Sequence, residues 1–135
     1  MPEGIFLLAE LSEAKSIAKQ ALKAAPSGAA CLPGMNMIDL VTLAQTLDPS
    51  SDHMYLITAM VRAGTGAALS LPSPLCLRLA KLEKEEIPRI ADTWSKEESF
   101  RGMFEPVELA AFLRDLSTLA RQATAAERTL LFLNI

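Results

Sequence analysis

Residues 48–55, Asp-Pro-Ser-Ser-Asp-His-Met-Tyr, hold the only histidine and the only tyrosine of the 135-residue chain. Asp48 and Asp52 flank His53. An imidazole titrates near neutrality, so a histidine with a carboxylate in reach is a ready acid–base pair. The same residues also spell a corner between two helices. Asp48-Pro49 stops one helix, because the residue before proline avoids the α region. Ser51 or Asp52 can cap the next by accepting its free N–H groups. On that reading His53 sits in a first helical turn and has no catalytic duty. Catalysis would need a second group held against the ring, and neighbours in sequence point in different directions on a helix.

Other catalytic and cofactor chemistry is sparse. Cys31 and Cys76 stand apart, with no C-x-x-C and no histidine partner, so we expect free thiols and neither zinc site nor disulfide. Gly64 and Gly66 lie in an irregular stretch, 63–74, that lacks the G-x-G-x-x-G and GK[ST] patterns of phosphate loops. There is no G-x-S-x-G, H-E-x-x-H or EF-hand loop. No catalytic residue, metal or cofactor is expected.

Charge is more informative. Net charge is −3. Residues 81–108 carry eight acids against five bases, so this one segment holds the whole excess and the rest of the chain balances. Nucleic-acid binding is not expected from such a balance. Two roles fit the segment. As an interface it would use Asp92, Trp94, Glu97 and Glu98 to meet a basic protein, with the aromatic as anchor and the acids as guides. Alternatively, Trp94 is core and the acids are a solvated face. Lys15, Lys19 and Lys23 form a stripe read as solvated.

The elements that must position these groups read as helices. Half the residues are hydrophobic, but only 5% are aromatic, and Leu, Ile, Met and Ala favour helices. Ser12 begins a helix over 13–25 that ends at Pro26-Ser27-Gly28. Asn36 caps a second, with Asp39 in its first turn and Leu40, Val41, Leu43, Ala44 and Leu47 inward. A third carries Leu56, Ile57, Met60 and Val61 to a stop at Gly64. Ser73-Pro74 opens a fourth, and Pro88 a fresh turn that offers Ile87, Ile90, Ala91 and Trp94 to the core. Ser95 and Glu98 have the spacing of a capping box. The clearest helix spans 106–126, with Leu109, Leu113, Leu116 and Ala120 on one face.

Two stretches read as extended. Residues 129–135, TLLFLNI, form an apolar run, and residues 4–9, GIFLLA, are its natural partner, since a lone strand is unstable. A competing reading runs one helix over 4–25. A short extended piece at Leu69–Leu71 is also allowed. The expected fold is mainly α: one helical domain over 1–135, of five to six helices, with at most a two-stranded sheet pairing the two ends of the sequence.

No apolar run is long enough to cross a membrane, and the opening residues lack the basic region of a signal peptide, so a cytoplasmic site is expected. The expected function is a non-enzymatic protein-binding module. Immunity proteins and antitoxins of toxin pairs share the small size, acidity and lack of catalytic motifs. By that analogy the role is inhibition of a basic toxin or enzyme. The alternative is a small enzyme or ligand-binding protein using His53 with Asp48 or Asp52.

Overall fold

Alternation in the two extended stretches organises the molecule. In strand β1 (Glu3–Leu8), Phe6 and Leu8 face one side, and Ile5 and Leu7 the other. Strand β5 (Leu130–Asn134) repeats the pattern, with Leu130 and Phe132 opposed to Leu131 and Leu133. The two pair antiparallel with Phe6 across from Phe132, ring centres 4.9 Å apart. This computed structural model describes residues 3–21, 28–100 and 102–135. The expected end of the first helix, with Leu22, Lys23, Ala25, Pro26 and Ser27, lies outside those residues, as does Arg101.

Three more strands extend the sheet. Strand β2 (Ala30–Pro33) pairs with the free edge of β1, and β4 (Gly66–Ser70) with that of β5. Strand β3 (Val61–Ala63) folds back on β4 through Gly64-Thr65, where Gly64 takes a φ of +63° that suits a hairpin turn. The order is β2-β1-β5-β4-β3, antiparallel throughout. The expectation of a mainly α, all-helical core with at most two strands is therefore corrected. The fold is mixed α/β around a five-stranded antiparallel sheet.

The physical reason lies in the strands beyond β1 and β5, of which the sequence allows only a piece at Leu69–Leu71, overlapping β4. They read ACLP, VRA and GAALS, nearly without the β-branched and aromatic residues that mark strands in sequence. Their extended form is imposed by pairing, β2 with β1, β4 with β5 and β3 with β4. The single long helix over 4–25 is excluded by the same pairing.

Helices cover both faces. Helix α1 (Ala14–Ala21), entered through a short turn at Leu11–Glu13, lies on one face with Ala14 and Ala18 buried against Ile5, Leu7, Ala68, Leu131 and Leu133. The other face carries the main core. It receives α2 (Met37–Leu47), α4 (Ser73–Ala80), α5 (Ile87–Ser95) and α6 (Pro106–Ala125). Between α2 and β3, helix α3 (Tyr55–Thr58) is a single turn. The third helix expected to reach Gly64 therefore stops early, because Val61 and Ala63 pair with β4 instead.

Local signals explain the helix starts. The Asn36 carboxamide oxygen accepts from the backbone N–H groups of Ile38 and Asp39, and the Asp39 carboxylate accepts from the N–H of Asn36. Helix α6 opens on Pro106, with the Glu108 carboxylate accepting from the Glu105 N–H. Leu113 and Leu116 are wholly buried, as expected from their spacing. Ser95 differs from expectation. Its hydroxyl donates to the Asp92 carbonyl at the end of α5 and caps no following helix.

Candidate functional site

At the corner between α2 and α3, the helix end governs the chemistry. Asp48 is the C-cap of α2, and its backbone carbonyl has no partner within the helix. The His53 ring supplies one, with Nε2 2.8 Å from that oxygen. A carbonyl only accepts, so the Nε2 carries the proton and donates. The histidine is 8% exposed, and its ring centre lies 6.4 Å from that of Tyr55, which is itself half-exposed.

Among the described residues neither flanking carboxylate hydrogen-bonds the imidazole, and the charge interaction of Asp48 with His53 is the smallest of the influences on that carboxylate. The Asp48 carboxylate accepts from the Ser50 hydroxyl at 2.6 Å and from the Ser50 N–H at 3.3 Å. These bonds, with one from Ser51, hold its pKa below the ordinary aspartate value. The Asp52 carboxylate accepts from the Met54 N–H. Both act as turn caps, and His53 closes the helix end.

The acidic segment presents a different picture. Helix α5 buries Ile87, Ile90, Ala91 and Trp94, which recur at three- and four-residue spacing. Trp94 is wholly buried. Its ring packs between Phe100 and Phe112, with centres 5.0 and 6.1 Å away, and Phe112 in turn meets Phe6 of the sheet. The proposed aromatic anchor is therefore inside the core, and the outward part of the set is Asp92, Glu97 and Glu98. Asp92 and Glu98 are exposed and Glu97 is half-buried. Asp92 pairs with Lys96 at 3.1 Å, an exposed pair of little energetic weight. Among the described residues, Glu97 and Glu98 have no ion-pair partner.

Beside this surface lies a polar cleft of about 350 Å³ between α2, α4 and α5. Gln45, Thr46 and Pro49 form its α2 wall, and Arg78 enters from α4. Helix α5 and the turns flanking it supply Glu86, Arg89, Ile90, Thr93 and Glu97. Arg78 grips Glu86 with two parallel bonds of 3.1 Å, the geometry that suits a guanidinium and a carboxylate. The Glu83 N–H adds a third bond at 2.9 Å. The Arg78 bonds first, then the Glu83 N–H, hold Glu86 below the usual carboxylate range. Gln45 donates its amide N–H to the Pro49 carbonyl, and Thr46 donates its hydroxyl to the Thr42 carbonyl.

No family model, curated protein or solved structure matches this chain.

The site is thus read from its own geometry. Among the described residues, no three His, Cys, Asp or Glu side chains are grouped to hold a metal ion. Cys31 and Cys76 are free, half-buried and on opposite faces of the sheet, and burial pushes both thiols up, away from the reactive thiolate. Among the described residues, no helix is long and apolar enough to cross a membrane.

Sequence reasoning missed the cleft. One signal was available: residues 86, 90, 93 and 97 recur at four, three and four, a helical spacing that runs through α5 and the turns flanking it. The Arg78–Glu86 pair gave none, because it spans the turn between two helices.

Proposed function

We propose that the protein is a non-enzymatic protein-binding module that meets a basic partner with the surface formed by residues 81–108. What supports the reading is the disposition of its acids. Glu83, Glu85, Asp92, Glu98, Glu105 and Glu108 all reach solvent, and among the described residues only Asp92 of these is ion-paired. Unneutralised acids grouped on one segment steer an oppositely charged protein and raise its association rate. The finer proposal is an inhibitor of the immunity or antitoxin type, in which binding blocks a basic toxin or enzyme. The proposed compartment is the cytoplasm, where reduced thiols such as Cys31 and Cys76 persist.

The test is affinity capture from the native cell, with the full chain as bait and stepwise salt elution. Wild type should retain a basic protein that leaves as salt screens the contact. A bait carrying Glu97→Lys and Glu98→Lys should lose it. Equal retention by both baits would make the acidic segment a solvated face.

A further inference from the structure

Where α1 meets the β3–β4 turn it leaves a notch of about 190 Å³. Its wall is carbon. Ala18 and Ile135 supply apolar surface, and Gly64 adds no side chain. Lys15 and Lys19, one helical turn apart on α1, complete the rim. A lysine lays its methylenes along apolar surface and keeps its ammonium in water. The two therefore give carbon to the wall and charge to the mouth.

The side-chain charge at this mouth has one sign. Among the described residues neither lysine is ion-paired, and no acidic side chain lines the notch. The acids nearest in sequence are engaged in the turn before α1. Glu10 accepts from the Thr129 hydroxyl, and Glu13 from the Glu10 N–H. The Ile135 main chain is bonded to that of Glu3, donating at 3.1 Å and accepting at 2.7 Å. The Thr65 hydroxyl, also at the mouth, makes no hydrogen bond among the described residues.

Like charges at i, i+4 repel, and an anion set between them relieves the repulsion. The carbon wall behind them favours an alkyl tail. A cavity of about 150 Å³ holds a benzene ring, so the notch takes a tail of about six carbons. We infer that it binds a short aliphatic carboxylate, with the tail against Ala18 and Ile135 and the carboxylate between Lys15 and Lys19, accepting from Thr65. The notch lies across the sheet from α5 and is independent of the proposed partner surface.

The test titrates the ¹⁵N-labelled full chain with hexanoate, acetate and hexanol at one ionic strength. Hexanoate should give saturable shifts on the Lys15, Lys19, Gly64 and Thr65 amides, with a dissociation constant in the millimolar range. Acetate has the charge without the tail, and hexanol the tail without the charge. Each should bind at least about tenfold more weakly than hexanoate. Lys15→Met with Lys19→Met keeps the wall and removes the charge. It should weaken hexanoate about tenfold and leave hexanol unchanged. Acetate as tight as hexanoate would reduce the site to surface ion pairing, and hexanol as tight would reduce it to an apolar dent. Either overturns the inference, as do shifts that do not saturate or that fall elsewhere. The last arm adds vesicles of phosphatidylglycerol and phosphatidylcholine. Broadening of the same amides by vesicles, with no response to hexanoate, would assign the lysines to a membrane surface and overturn it as well.

Discussion

The Trp94 indole N–H donates to two oxygens of α2, the Asp39 carbonyl and the Thr42 hydroxyl, each at 3.1 Å. The two helices so joined are the facing walls of the polar cleft. Trp94 therefore positions the surface around Glu97 from behind. Trp94→Ala should cost about 3–5 kcal/mol in urea denaturation. Trp94→Phe keeps a ring and should cost less, about 0.5–1.5 kcal/mol for the hydrogen bond plus some lost packing. The native indole should resist acrylamide quenching, both alone and with partner bound. Ready quenching would contradict its place in the core.

Gly66 lets β4 lie against the end of β5. A Cβ at this position would collide with the Asn134 carbonyl. The atoms it would meet belong to the backbone of Asn134 and Ile135, so no side chain can yield. Gly66→Ala should destabilise the fold by about 1–3 kcal/mol. A thermal midpoint equal to wild type would mean that the β4–β5 register is wrong.

His53 caps the carboxyl end of α2 through Asp48. His53→Ala should lower stability by about 0.5–1.5 kcal/mol, the net worth of one such bond, and leave partner binding intact. Lost binding at unchanged stability would restore a functional role to the 48–55 corner.

Glu86 makes stability depend on pH with a definite sign. Its folded pKa is depressed, chiefly by Arg78. It therefore contributes stability above the pKa of the unfolded chain, and that stability is lost as pH falls through the folded value. The stability gap between wild type and Glu86→Gln should be widest near neutrality and close on acidification. A gap that widens as pH falls would reverse the assignment.

Much of the helical frame was legible in the sequence, because caps and periodicity are local. Asn36 with Asp39 announces α2, and Pro106 with its Leu109–Leu113–Leu116 face announces α6. The sheet was only half legible. GIFLLA and TLLFLNI stand out as apolar runs, but ACLP and GAALS become strands through partners distant in sequence, and VRA through its hairpin with GAALS. Trp94 illustrates the same limit. Acidic neighbours suggested a surface anchor, whereas its helical spacing with Ile87, Ile90 and Ala91 marked it for the core. The cleft joins Gln45, Arg78 and Glu97 from three helices, a juxtaposition that no local pattern encodes.

The central claim is that the acids of residues 81–108 guide a basic protein onto this surface. The most direct measurement is the association rate with the captured partner as ionic strength rises, for wild type and for Glu97→Lys with Glu98→Lys. The wild-type rate should fall steeply with salt. The double reversal should associate more slowly and show a flatter dependence. Identical rates and identical slopes for the two proteins would contradict the account.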